Sequence, residues 1–377
     1  MHFARIWLTI FWGTAIFLTY TYAGYPLWLW IRSRIRSRPV LRRSQLPFVS
    51  IVIVARDEAH LLERKIENLL ALAYPRDRYE IILVSDGSRD GTAAILRTAA
   101  SNPLIRSKLK SSAQGKASGL NDAIAMTKGE IVVFTDARQL TDPAALGHLV
   151  ENFADETVGC VTGDLLLSDP RSKKREGLGL YWRLEKRLWE LEAATASAVG
   201  ATGAFYSARR QLLPHVPAET VLDDVFVPME IVRQGKRVVF DRRARCWDQG
   251  VFAARQEWRR KVRTLAGTYQ LLNLQSWLLT RANPIRFEYI SHKLLKLWVP
   301  FAMIGLLFSA AFLSGILYRV VLVLQLAFYA LAVAGFWKNS RGFLSRIAHS
   351  ASMFVLLNAA AAAALVMFIR GRRIAWK

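Results

Sequence analysis

The sequence predicts an α/β domain held between α-helical membrane segments. Buried strand patterns alternate with helical ones through the middle of the chain. Uncharged apolar runs lie at both ends, and basic residues crowd beside them. The chain has 377 residues, 52 Lys and Arg against 29 Asp and Glu, a net charge of +23 and a hydrophobic fraction of 53%. So much apolar surface excludes a disordered chain. Two cysteines, Cys160 and Cys246, lie in no C-x-x-C pair. They exclude a disulfide framework and a cysteine-built zinc site.

Ile6–Ile31, Leu297–Tyr318, Val320–Trp337 and Ser350–Ile369 carry no charge. A helix of about 20 apolar residues spans a bilayer core. The first run reads as a membrane helix over residues 1–31. It is long for a signal peptide, and no small-x-small cleavage site follows. Arg32, Arg34, Arg36, Arg38, Arg42 and Arg43 mark residues 32–47 as a basic juxtamembrane linker. The positive-inside rule then places residues 32–296 in the cytoplasm, with a bacterial inner membrane as the expected location. Three more spans over 294–377 would put the far end outside. Yet Lys338, Arg341, Arg346, Arg370, Arg372 and Arg373 flank the last runs. That conflict leaves open whether one of them is interfacial or re-entrant. Residues 265–293, with Leu271, Leu272, Leu274, Trp277, Leu278 and Leu279 near Arg281, read as an interfacial amphipathic segment. Trp298 reads as an interface anchor.

The other basic clusters are Arg171, Lys173, Lys174 and Arg175, with Arg183, Lys186 and Arg187, and a third over residues 233–263. With no zinc-finger or RNA-recognition signature, they read as contacts to lipid headgroups and a nucleotide substrate. No nucleic-acid partner is expected.

In the middle, Phe48–Val54, Tyr79–Val84, Glu130–Thr135 and Val158–Thr162 read as strands buried on both faces. Helical patterns lie between them, the first with Leu61, Leu62, Ile66, Leu69 and Leu70 on one stripe. The alternation predicts a parallel sheet, with ligands beyond the carboxyl ends of its strands. Polar residues collect there: Ala55, Arg56, Asp57 and Glu58, then Ser85, Asp86, Gly87 and Ser88, then Asp136, Ala137 and Arg138. Asp90-Gly91 reads as turn chemistry.

These pieces, in order, are Val49 to Glu58 (VSIVIVARDE), Leu83 to Thr92 (LVSDGSRDGT), Gly115 to Asn121 (GKASGLN), Phe134 to Arg138 (FTDAR), Gly200 to Phe205 (GATGAF) and Leu222-Asp223-Asp224. With that spacing, residues 48–264 resemble a glycosyltransferase family 2 domain of GT-A fold. The flanking spans are similar to those of membrane-bound cellulose, hyaluronan and poly-N-acetylglucosamine synthases.

The resemblance implies inverting transfer from a nucleotide sugar, usually a UDP-sugar, to a cell-surface polysaccharide or lipid-linked saccharide. Ala55, Glu58 and Asp86 match the nucleotide side, where carboxylates accept from base and ribose. Lys116 matches a residue near the phosphates, and Asn121 one that orients its neighbours. Asp136 matches the first acid of D-x-D, which holds Mg²⁺ or Mn²⁺ on the diphosphate. The second acid is replaced by Arg138, which cannot ligate a cation but suits a phosphate. Asp224 matches the general base that deprotonates the acceptor hydroxyl, and Asp223 supports its loop. Processive synthases carry Q-x-x-R-W; here Arg260 and Thr264 replace its Gln and Trp and Arg263 is kept. Arg260 and Arg263 are expected on the acceptor or diphosphate side. The altered Q-x-x-R-W brings in one alternative, single addition to a lipid acceptor, and Arg138 another, a silent nucleotide-sugar-binding scaffold.

Overall fold

The computed structural model describes residues 2–167, 180–248, 254–337 and 343–371. The 171–175 basic cluster lies outside them. The chain opens with α1 (His2–Thr19), a π turn at Tyr20–Gly24 and α2 (Tyr25–Ile35). The elements of the α/β domain follow: β1 (Val49–Ala55), α3 (Ala59–Leu70), β2 (Tyr79–Asp86), α4 (Thr92–Ala99), β3 (Ile105–Lys110), α5 (Lys116–Met126), β4 (Ile131–Thr135), β5 (Leu140–Thr141), α6 (Ala145–Glu151), β6 (Val158–Leu167), α7 (Leu180–Thr195), β7 (Phe205–Arg209), α8 (Asp223–Arg233), β8 (Arg237–Asp248) and α9 (Ala254–Leu274). Then come α10 (Arg286–Tyr289), a π turn at Ile290–Leu294, α11 (Leu295–Phe312), α12 (Ile316–Trp337) and α13 (Phe343–Ile369).

The sheet runs β3-β2-β1-β4-β7-β6-β8-β5. Its first four strands are parallel, as the alternation predicts. The rest is mixed, which corrects the expectation of a parallel sheet: β7 lies antiparallel to β4 and β6, and β5 antiparallel to β8. β1 and β2 are buried along their whole length, which is why they read as mostly apolar; Ser50 and Glu80 are buried there by bonding to each other at 2.7 Å. β3 was not legible. It is an edge strand with the polar sequence IRSKLK.

Four helices are long and apolar enough to cross a membrane: His2–Ile35, Arg286–Phe312, Ile316–Phe336 and Leu344–Ile369. The second uncharged run does not match one helix. It breaks at Gly315, whose φ of 134° sets the turn between α11 and α12, so Arg319 falls inside α12. α1 packs on α11, where Trp7 stacks on Phe312 at 4.6 Å.

Two other boundaries shift. α9 is continuous across residue 264, so no domain edge falls there. The segment 265–293 divides, with Leu279 and Phe287 exposed and much of the rest packed inward. Leu271, Trp277 and Leu278 are buried with Val225, Phe226 and Met229 of α8, and Ala266 and Tyr269 of α9 pack with Leu297 and Ala364. α9 is therefore a wedge between the α/β domain and the apolar helices.

A buried ionic cluster joins the two parts. His292, in the second π turn, meets Glu192 Oε1 through Nδ1 at 2.6 Å and Glu185 Oε2 through Nε2 at 2.8 Å. Both glutamates belong to α7. Tyr25 of α2 donates to Glu192 at 2.7 Å, and Lys296 pairs with Glu185. The two π turns meet where Tyr20 Oη and Ser291 Oγ lie 2.8 Å apart.

Candidate functional site

The carboxyl ends of β1, β2 and β4 and the start of α8 build one rim. A small cleft there is lined by Val52, Val54, Lys116, Leu120, Phe134, Thr135, Asp136, Gly203 and Asp223. Lys116 begins α5 directly after Gly115, whose φ of 97° lets the chain turn into the helix. Its Nζ lies 3.3 Å from Asp136 Oδ1 and 3.2 Å from Asp223 Oδ1. Burial works against the ammonium, but Asp136, Asp223 and Asp224 outweigh it and raise its proton affinity.

Asp223 and Asp224 are the first residues of α8, where the positive end of the helix favours acids. Asp224 does not serve as a helix cap. Its Oδ2 accepts the Gly203 N–H at 3.0 Å, and its carbonyl accepts the Ala201 N–H at 2.8 Å. Burial pushes its pKa up to about 6. Asp223 and Asp136 add to the rise, and Lys116 and Lys293 oppose it. A carboxyl titrating there suits a general base at neutral pH.

Gly203 lies in the GATGAF segment, which carried no assigned role for it, and a side chain there would crowd Asp224. A Cβ at this position would stand 2.9 Å from Asp224 Oδ2. Gly203→Ala is expected to displace the carboxylate and lower turnover about 100-fold, the effect of roughly 1 Å of misplacement. Steady-state kinetics with a circular-dichroism control checks this. Tyr206 was also missed. It is fully buried, and its hydroxyl has no partner among the described residues.

The remaining candidates divide. Asp86 is fully buried, and its two oxygens accept the N–H groups of Gln114 and Gly115 at 2.9 and 2.8 Å. It shapes the turn that presents Lys116. Glu58 opens α3, its N–H bonded to Thr92 Oγ1 at 3.0 Å, and Ala55 ends β1. Asn121 points away from the cleft and clasps the backbone of Val216 at 2.8 and 2.9 Å. Arg138 is turned to Asp248, Nη2 to Oδ2 at 2.6 Å, which removes it from the cleft lining. Arg260 and Arg263 lie partly buried on α9. Asp90 is turn chemistry, as expected: it accepts the N–H groups of Thr92 and Ala59.

A divalent cation was expected at Asp136. Among the described residues no three metal-ligating side chains cluster. The residues fit an ion held chiefly by donor phosphates, because Asp136 is 42% exposed and the Lys116 ammonium already marks a place for positive charge between two carboxylates.

One rim thus gathers Asp136 from the end of β4, Lys116 from the start of α5 and Asp223 and Asp224 from the start of α8. Residues 50–209 match the family model Glycosyl transferase family 2. α8, with Asp223 and Asp224, lies beyond the matched segment. The poly-beta-1,6-N-acetyl-D-glucosamine synthase of Staphylococcus aureus is 25% identical over 282 residues, 71% of this chain and 66% of the relative. The chain thus spans just under two thirds of the length of that relative. The beta-monoglucosyldiacylglycerol synthase of a Nostoc species is 36% identical over 122 residues, 32% of this chain and 26% of that one. A solved mannosyltransferase of Pyrobaculum calidifontis, in complex with GDP-Man and Mn²⁺, superposes with a TM-score of 0.72 at 25% identity, covering 96% of this chain and 99% of the other.

Proposed function

We propose that the protein is a membrane-anchored, inverting glycosyltransferase that moves a sugar from a nucleotide sugar to a saccharide or lipid-linked acceptor. The arrangement of Lys116 between Asp136 and Asp223, with Asp224 fixed beside them by Gly203, carries this reading. Asp224 takes the proton of the acceptor hydroxyl as its oxygen attacks the anomeric carbon. The bond from that carbon to the diphosphate breaks on the opposite face, and the nucleoside diphosphate leaves with the electron pair. Lys116 offsets the charge growing on the departing phosphate. A cation at Asp136 would make the diphosphate a better leaving group. Asp86 and Gly115 hold the turn on which Lys116 sits.

The donor proposed is a UDP-sugar. GDP-mannose belongs beside it, because the superposed mannosyltransferase holds that nucleotide sugar. Product size separates two acceptor modes. Radiolabelled donor with membrane extract gives a ladder of products if synthesis is processive. It gives one lipid-extractable product if a single sugar is added, the mode favoured by the absence of a tryptophan at Thr264.

We place the catalytic domain on the cytoplasmic face of the inner membrane, with α1–α2, α11 and α12 crossing and α13 resting along that face. What supports this is the packing of the two halves of α13. In its first half, Ser352 donates to the Ala332 carbonyl in the last turns of α12 at 2.6 Å. Near its end, Phe368 stacks on Tyr269 of α9 at 5.4 Å, and Ala364 packs with Leu297. α11 starts beside the catalytic domain and α12 returns to that side, so both halves of α13 meet the same face. The arginines flanking α13 would then lie inside, in keeping with the positive-inside rule. Green fluorescent protein fused after residue 377 is expected to fluoresce, and alkaline phosphatase at the same place to stay inactive. The reverse pattern would show that α13 crosses.

A further inference from the structure

Lys65 sits in the middle of the apolar stripe of α3 and is fully buried. Its Nζ donates to Thr135 Oγ1 at 2.9 Å, the Gln139 carbonyl at 2.7 Å and Thr141 Oγ1 at 3.3 Å. Three N–H groups thus meet three oxygens. Among the described residues no carboxylate lies within ion-pair distance of it. A buried ammonium without a counter-ion is costly, so its placement calls for a reason.

The three acceptors supply one. Thr135 directly precedes Asp136, and Gln139 and Thr141 follow the Asp136-Ala137-Arg138 turn. Asn68, one helical turn along α3, grips the far flank too: its side chain exchanges bonds of 2.9 and 2.8 Å with the backbone of Thr141. On the other side, Thr135 Oγ1 donates to the Ala204 carbonyl at 2.9 Å, and Gly203, its neighbour, holds Asp224. A chain of bonds therefore runs from Lys65 through Thr135 to the segment that fixes Asp224.

We propose that Lys65 is a positioning residue that holds Asp136 at its working distance from Asp224, and so sets the affinity for a divalent cation with a nucleoside diphosphate. This rests on the glycosyltransferase reading of the site. Lys65→Met keeps the length and apolar stem of the side chain and removes all three bonds.

The test measures binding of Mn²⁺ with UDP or GDP, without turnover, by calorimetry and by electron paramagnetic resonance of Mn²⁺, on the full chain in nanodiscs. Wild type, Lys65→Met, Thr141→Val and Asp136→Asn are compared below the melting point of each. The expected result is affinity at least 10-fold weaker in Lys65→Met and several-fold weaker in Thr141→Val, with Asp136→Asn weakest. Wild-type affinity in Lys65→Met would overturn the proposal, because a residue serving only stability lowers the melting point and leaves this affinity alone. If Lys65→Met does not fold, Thr141→Val decides in the same way. Wild-type protein that binds neither nucleotide with Mn²⁺ would instead sink the functional reading itself. Binding lost in Asp136→Asn but intact in Lys65→Met would sink this inference alone.

Discussion

Asp224→Asn is expected to lower turnover by about 10²–10⁴-fold, the range for loss of a general base, while donor binding changes little. Asparagine keeps the shape and can still accept the Gly203 N–H, but it cannot take a proton. Its neighbours explain why the loss should fall on turnover. Lys116 bridges Asp136 and Asp223, and neither distance involves Asp224. The pH profile gives a second reading of the same group. Burial raises the Asp224 pKa to about 6. A base must be ionised to act, so kcat/KM should fall about tenfold per pH unit on the acid side of that value. A bound divalent cation favours the ionised form and moves the limb lower. The acid limb should be missing from whatever activity Asp224→Asn retains.

His292→Ala is expected to destabilise the protein by about 3–5 kcal/mol, the usual effect of removing one partner from a buried charge cluster. The ring lies between Glu185 and Glu192 at 2.8 and 2.6 Å, and those glutamates also meet Lys296 and Tyr25. Without the ring, Glu192 keeps only the Tyr25 hydroxyl among the contacts described here, with its Oε2 already lacking a partner. The cluster joins α7 to α2 and α11, so its loss should loosen the catalytic domain from the membrane helices. Thermal unfolding in nanodiscs would show a lower midpoint. Limited proteolysis would cut earlier between residues 275 and 290. An unchanged midpoint would mean that the apolar packing around Tyr25, Leu29, Leu188 and Leu191 holds the joint alone.

Some of this was plain in the residues. Strands buried on both faces are mostly apolar, so β1, β2 and β4 could be read, and with them the rim where Asp86 and Asp136 lie. β3 could not be read, because an edge strand tolerates polar residues on its open side. The two antiparallel strands, β7 and β5, were also hidden, since pairing direction depends on how distant segments return. Motif resemblance located Lys116, Asp136 and Asp224 but could not show where side chains point. Asp86 spends its oxygens on a turn, Asn121 on Val216 and Arg138 on Asp248, and such partners are far away in sequence. Lys65 did leave a signal: a charged residue inside an apolar helical stripe is either unfavourable or employed. His292 left a weaker one, lying just ahead of an apolar span with Lys293 and Lys296 around it. Uncharged runs located the long apolar helices, but their ends followed Gly315 and the packing rather than the charges.

The central claim is that Asp224 and Asp136 carry out sugar transfer from a nucleotide donor. It is tested most directly by nucleoside diphosphate release from the protein in nanodiscs. A panel of UDP-sugars and GDP-mannose would be run with Mg²⁺, Mn²⁺ or EDTA and a membrane extract as acceptor, beside Asp224→Asn. The account predicts release with one donor class that needs the metal and collapses in the variant. Release that is equal in the variant would contradict the role of Asp224. Nucleotide binding without release under every condition would contradict the transferase and leave a silent binding scaffold.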